Sequence, residues 1–237
     1  MRFMTSVLMI VAAAFVLVIG CSSNDAQSAD NTAQASGKTT AQAPAAKPAA
    51  ATTGNPYYDS LAQMTHPIRD EKNPIVTIRT DFGDMVCELY RDVAPAHADS
   101  FVALTKKGFY NGLTFHRIID GFMIQGGDPK GDGTGGPGYS LTAEFSELPH
   151  ADGTLSMARS NDPNSAGSQF FVCLGRAAFL DRKYTVFGQV LKGYDTLHKI
   201  GKVPVTAFRG ENSKPAETVY MREVFVSDAE GKPLKQN

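Results

Sequence analysis

The chain lacks a concentration of charge of either sign. Lys and Arg number 23 and Asp and Glu 24, a formal net charge of −1, and no basic run is interleaved with aromatic residues. Nucleic acid and anionic membrane surfaces are bound by concentrated basic faces, so neither class of partner is expected. Metal-ligand spacing is missing as well. His66, His97, His116, His150 and His198 stand well apart, without the close pairs that zinc sites use. The loop Asp128-Pro129-Lys130-Gly131-Asp132-Gly133 opens like a calcium loop, yet Lys130 and Tyr139 fall where oxygen ligands are required. No Gly-Lys-Ser/Thr ends that Gly-rich stretch, which excludes a P-loop. Ser168 lacks a Gly-x-Ser-x-Gly elbow, which removes the serine-hydrolase reading. No metal and no cofactor is expected. Tryptophan is absent altogether, and no internal repeat or second domain is visible.

What is present begins at the amino terminus. Residues 3–20 carry no charge and follow Arg2, the pattern of a secretory signal peptide. The apolar run is also at the lower limit for a membrane-spanning helix. Val18-Ile19-Gly20-Cys21 resembles the lipobox of bacterial lipoproteins, in which the cysteine thiol takes a diacylglycerol before cleavage. Residues 1–20 are therefore read as a lipoprotein signal peptide and Cys21 as the lipidated residue; the alternative is an uncleaved anchor. Two or three acyl chains make a stable anchor. The expected location is the bacterial cell envelope, lipid-anchored on the periplasmic face of a membrane. Ser22 suits sorting to the outer membrane of a Gram-negative cell.

Residues 21–55 are almost entirely Ala, Gln, Thr, Ser, Pro, Gly, Asn and Asp with a few Lys, too little apolar bulk for a core, and read as a disordered tether. A coil of about 33 residues spans roughly 30 Å. A lead-in segment occupies residues 56–72, one domain residues 73–227, and a polar tail residues 228–237. Within the domain, alternating apolar and polar residues predict strands over 75–80 and 84–90, joined at Asp81-Phe82-Gly83. Pro95, an apolar stripe at Phe101, Val102 and Leu104, and Gly108 as a stop predict a helix over 94–107. Further strands are expected over 153–158, 169–173, 185–191 and 218–227, with a second helix over 194–200. Many short strands and two helices indicate a mainly β barrel capped at its ends. Cys87 and Cys173 lie in strand-like apolar settings and read as two separate buried thiols; the alternative is a disulfide between them, which an exported protein can form where the Cα atoms stand about 4.4–6.8 Å apart.

The most informative stretch is Phe115-His116-Arg117-Ile118-Ile119-Asp120-Gly121-Phe122-Met123-Ile124-Gln125. It reads as a strand over 114–119, a turn at Asp120-Gly121 and a returning strand over 122–125. Side chains two apart share a face, so Met123 and Gln125 point one way and Phe122 and Ile124 the other. With Arg117 near Gln125, the hairpin offers a fixed cation beside an apolar wall, which suits an enzyme that distorts a bond without breaking it.

This stretch resembles the signature of the cyclophilins, the peptidyl-prolyl isomerases. Two further blocks extend the resemblance: Leu155-Ser156-Met157-Ala158-Arg159 with Gly167-Ser168-Gln169-Phe170-Phe171-Val172, and Phe179-Leu180-Asp181 with Tyr184-Thr185-Val186-Phe187-Gly188. It covers residues 73–227. It implies a closed eight-stranded antiparallel β-barrel capped by two α-helices, with the site on its outer face. It also implies an isomerase of X-Pro bonds acting on proline-containing unfolded or flexible polypeptides. Arg117 is then the catalytic residue. Phe122, Met123, Phe171 and Leu180 seat the proline ring, although three of them (Phe122, Phe171, Leu180) read individually as ordinary core. Gln125 positions Arg117 or the substrate carbonyl, and Ala158, Arg159 and Gln169 line the peptide groove. Surface salt bridging is the alternative for Arg159, where many members carry asparagine. Phe179 stands where many eukaryotic members have tryptophan, which implies weak binding of cyclosporin, and Tyr184 stands where they have histidine. Phe and Tyr at these places resemble bacterial exported cyclophilins.

One rival reading is a membrane-tethered module that binds proline-containing segments with turnover incidental. Another is a chaperone for exported proteins, which would act on proline-free clients and survive loss of Arg117. Retention of Arg117, Phe122, Met123, Gln125 and Phe171 together favours the enzyme, since a pure binder does not need the cation. A monomer is expected.

Overall fold

The computed structural model describes residues 56–235. The signal peptide 1–20, the lipidation site Cys21, the tether 21–55 and the last two residues of the tail lie outside the described residues. Among the described residues no helix is long and apolar enough to cross a membrane.

Two strands, β1 (Ile75–Thr80) and β2 (Gly83–Leu89), form the first hairpin around Asp81 and Phe82. The last five residues of β2 are all buried, because the lead-in segment covers the face that alternation would leave to water. Its anchor is Glu88, fully buried, whose carboxylate accepts from the Arg69 and Asp70 backbone N–H groups at 2.8 and 2.9 Å and from Asn73 Nδ2 at 2.9 Å. A buried carboxylate with its lone pairs satisfied in this way is tolerated. Ahead of this strap, a short helix α1 (Pro56–Ala62) packs on a later one.

Helix α2 (Pro95–Lys106) starts with proline, which has no N–H to leave unpaired. Its Ala94 cap offers no side-chain acceptor. The Glu144 carboxylate serves instead, accepting from the Ala96 and His97 amides at 3.2 and 3.1 Å, where a negative charge is favoured by the helix dipole. The helix buries Ala98, Phe101 and Leu104. Phe101 stacks on Tyr110 with ring centres 4.5 Å apart and meets Phe170 edge-on at 5.2 Å. Burying one such aromatic stabilises the fold by about 1.5–3 kcal/mol.

The remaining elements are β3 (Phe115–Ile119), β4 (Met123–Gly126), β5 (Thr154–Met157), β6 (Phe170–Cys173), β7 (Val186–Lys192), α3 (Tyr194–Gly201), β8 (Val205–Phe208), β9 (Glu211–Pro215) and β10 (Met221–Ser227). Eight strands form one antiparallel sheet in the order β10-β1-β2-β7-β5-β6-β4-β3, and β8 pairs with β9 separately. The sheet curls around a core that includes Ile78, Met85, Leu89, Phe115, Ile118, Ile124, Leu155 and Phe187.

Three expectations need correction. The barrel is not closed: β3 and β10 meet only at a bridge between Thr114 and Tyr220, with backbone hydrogen bonds such as Phe115 N–H to Val219 O at 2.9 Å beside it. Beyond that bridge β3 packs against β9 instead of β10, so the sheet is an open, curled half-barrel. There are three α-helices among the described residues, not two, because α1 and the strap order the segment read as a lead-in. The final strand starts at Met221 rather than three residues earlier, and the β8–β9 hairpin had no counterpart in the sequence reading.

Candidate active site

Strand register builds the site. Across β3, β4 and β6 the pairs Arg117↔Gln125 and Gln125↔Phe171 form one row, and Ile119↔Met123 and Met123↔Cys173 form the next. With side chains alternating along each strand, both rows project from the same face. That face is the outer one. Ile118, Ile124, Phe170 and Val172, one residue out of phase, enter the main core. Met123, Phe171, Cys173, Ala177 and Leu180 make a second, smaller cluster, against which Phe122, Ala158 and Tyr184 pack.

Phe122 therefore lies with Met123 and not with Ile124, against the expectation from alternation. It belongs to the turn, where Gly121 takes φ +69° and the Phe122 N–H donates to Ile119 O at 3.0 Å. Strand periodicity does not apply there.

Arg117, Phe122, Met123, Gln125, Ala158, Arg159, Phe171, Leu180 and Tyr184 line one depression of about 150 Å³. Gln169 and Phe179 are outside this lining. Gln169 stands behind Gln125: Arg117 Nη1–H donates to Gln125 Oε1 at 3.3 Å, Gln125 Nε2–H to Gln169 Oε1 at 3.0 Å, and Gln169 Nε2–H to Gly135 O at 2.8 Å. This relay ties the arginine to the Gly-rich loop, which lines a second depression of about 660 Å³ together with Lys130 and Arg159. Phe179 is 63% exposed, its ring 5.4 Å from that of Phe122, at the rim.

Among the described residues Arg159 has no carboxylate partner. Its guanidinium donates to Ser160 O at 2.8 Å and Lys183 O at 2.9 Å and lies 4.4 Å from the centre of the Tyr184 ring. The salt-bridge alternative is thus replaced by carbonyl contacts and a cation–π contact.

Two features of the site were missed in the sequence. The first is the brace beneath Leu180, which stands on a 3-10 turn, Ala178–Leu180. Asp181 follows the turn and accepts from the His150 backbone N–H at 2.9 Å and from Arg176 at 3.0 Å. His150 lies 3.1 Å from Asp181 through Nδ1, 3.0 Å from Ser156 Oγ through Nε2, and stacks on Phe171. The Arg176 hydrogen bond holds the Asp181 carboxyl below the usual carboxylate range, and burial lowers the His150 pKa. Ser156, His150 and Asp181 have the spacing of a nucleophilic triad, but Ser156 and His150 are fully buried, so they brace the site and do not meet a ligand. The second feature is Glu211 at the start of β9, whose carboxylate meets the Arg117 guanidinium and is held below its ordinary pKa by it. Neither Asp181 nor Glu211 sits in a local motif that names its partner.

Among the described residues no carboxylate or imidazole lines the depression, and the polar groups that do are two arginines, a glutamine and a tyrosine. Such a set neither attacks nor exchanges protons readily. It can seat an apolar ring and direct N–H donors at it.

Residues 75–226 match the family of cyclophilin type peptidyl-prolyl cis-trans isomerases. The chain is 43% identical over 156 residues to peptidyl-prolyl cis-trans isomerase-like 3 of Gallus gallus, covering 64% of this chain and 94% of that protein. It is 44% identical over 153 residues to a probable peptidyl-prolyl cis-trans isomerase of Brucella suis, covering 60% and 78% respectively. Among solved structures, a Cryptosporidium parvum cyclophilin determined in the presence of the dipeptide Ala-Pro superposes with a TM-score of 0.61 at 34% identity, covering 65% of this chain and 99% of that one. The chain belongs to the cyclophilin-type peptidyl-prolyl cis-trans isomerases and has their activity.

Proposed function

We propose that this isomerase acts, as a lipid-anchored monomer in the bacterial cell envelope, on X-Pro bonds of exported polypeptides, and that Arg117 is its catalytic residue. Rotation about a peptide bond is opposed by a barrier of about 18–20 kcal/mol, and uncatalysed X-Pro exchange takes tens to hundreds of seconds. At the twisted transition state the proline nitrogen becomes pyramidal and regains a lone pair. A donor aimed at that lone pair stabilises the transition state and adds little in the planar ground state, which is the difference catalysis requires. Arginine stays charged and presents its donors in a rigid fork. The proline ring seats on Phe122, Met123, Phe171 and Leu180, while the groove beside Ala158, Arg159 and Gln169 receives the extended chain. No bond is broken, so neither nucleophile nor proton relay takes part.

The observation that carries this reading is the row Arg117–Gln125–Phe171, a cation next to the apolar seat on one outward sheet face. Cys21 behind its apolar run supports the anchor. The test compares the chain with its Arg117→Ala variant on a short X-Pro peptide followed by NMR exchange. A folded variant about a hundredfold slower is expected, and equal rates would exclude Arg117 from the chemistry. For the anchor, mass spectrometry of the chain from bacterial membranes should show acyl groups on Cys21, and Cys21→Ser should leave the membrane fraction.

A further inference from the structure

The β8–β9 hairpin stands outside the eight-stranded sheet and lies against β3. It turns at Arg209 and Gly210, both at positive φ (+51° and +87°), between the paired residues Phe208 and Glu211. Positive φ at both central residues is the geometry of a tight two-residue hairpin turn. The first residue after it, Glu211, forms a two-pronged ion pair with Arg117: Nε–H donates to Oε1, and Nη2–H donates to Oε2 at 3.0 Å.

We propose that Glu211 is the positioning residue for Arg117 in the isomerisation, an inference that rests on the reading of Arg117 as the catalytic donor. Both side chains are about a third exposed (33% and 38%), and an ion pair so open to water contributes little to stability. Its effect is on orientation. A fork-to-carboxylate pair fixes the guanidinium plane, which a single neutral contact does not. Without Glu211 the guanidinium would keep, among the described residues, only Gln125 at 3.3 Å and a long contact from Nη1 to Met123 Sδ at 3.8 Å. With it, Nε–H, one Nη2–H and Nη1 are engaged, and one Nη2–H is left for a ligand. The neutralising charge is acceptable because isomerisation creates no net charge, and the pyramidal nitrogen calls for a donor in the right place.

The test uses the full chain with an X-Pro peptide, measuring kcat and KM separately for the parent, Glu211→Ala, Glu211→Gln, Arg117→Ala and the double variant. Glu211→Ala should lower kcat about tenfold with KM changed by less than about twofold, as expected for an interaction that acts in the transition state. Glu211→Gln keeps one acceptor and should recover most of that loss. The double variant should be no slower than Arg117→Ala, because the two residues act as a unit. The Arg117 Nε–H resonance should be protected from solvent exchange in the parent and lose that protection in Glu211→Ala. Parent-like kcat in Glu211→Ala, a change in KM alone, or a further loss in the double variant beyond Arg117→Ala would overturn the proposal. Should Glu211→Ala fail to fold, Glu211→Met, which keeps the length of the side chain and removes both acceptors, carries the test through the same loss of kcat and of Nε–H protection, and parent-like values there would overturn the proposal. A fast Arg117→Ala variant would instead refute the underlying reading, so the two failures are distinguishable.

Discussion

Arg117 and Gln125 are cross-strand partners in the β3–β4 ladder, and their side chains meet a second time, Nη1–H donating to Oε1 at 3.3 Å. The backbone register and the side-chain contact therefore specify the same neighbour. Gln125 is held in turn by Gln169, so the amide cannot rotate away without losing a hydrogen bond.

Truncating that amide tests how much of the arginine's placement depends on it. Gln125→Ala should lower kcat/KM about tenfold, the size of one lost hydrogen bond in the transition state, and less than Arg117→Ala does. Arg117→Lys should not rescue activity, because a point charge lacks the fork that Gln125 and Glu211 grip. Both are read from peptide isomerisation rates with circular dichroism as the control for folding.

The brace under Leu180 should make the protein sensitive to acid. The folded-state pKa of Asp181 is depressed, chiefly by Arg176. Its contribution is thus present above the ordinary aspartate value of about 4 and is lost as pH falls through the lower folded value. His150 works in the same sense: burial depresses its pKa, so the unfolded chain takes up its proton first and stability falls below about pH 6.5. Thermal melts from pH 7 to 2 should show Tm falling with acid. Asp181→Asn should flatten the lower part of that curve, and an unchanged curve would show that the pair does not matter to stability.

Cys87 and Cys173 are free and fully buried. Burial pushes the Cys173 thiol up to about 12 and raises that of Cys87 as well. Since the thiolate is the reactive form, neither should react with a thiol reagent at neutral pH in a Cys21→Ser background, and both should react in denaturant. A native chain that titrates two thiols would contradict the packing of β2 and β6.

Phe179 sits at the rim, 63% exposed. Replacing it with tryptophan adds apolar area and an indole N–H that phenylalanine lacks. Phe179→Trp should tighten cyclosporin binding by about fivefold or more, the scale of one net hydrogen bond, as followed by fluorescence titration of the new indole. An unchanged affinity would show that the rim residue does not limit the inhibitor.

Much of this protein was legible in the chain because strand periodicity is local. The alternation in 114–119 and 122–125 already put Met123 and Gln125 on one face with Arg117 near Gln125, the family resemblance added Phe171, and the Pro95 start, apolar stripe and Gly108 stop defined α2. Seven-residue α1 was not legible, because a helix so short has no intrinsic stability and forms only where it packs. The resemblance named Phe122 for the site, but alternation gave it the wrong face, because a turn obeys no two-residue period.

The partnerships that shape the site belong to the tertiary structure alone. Glu211 lies 94 residues from Arg117, Glu144 is 47 residues from the amide of His97 that it caps, and Asp181 is 31 from His150. An acidic residue has the same propensities whether it ends paired or solvated, so nothing in its neighbours announces the partner. Whether the sheet closes is decided the same way, by how far the β3 and β10 edges approach. Local sequence determined which residues face outward on each strand; the path of the chain decided which carboxylate would meet the arginine there.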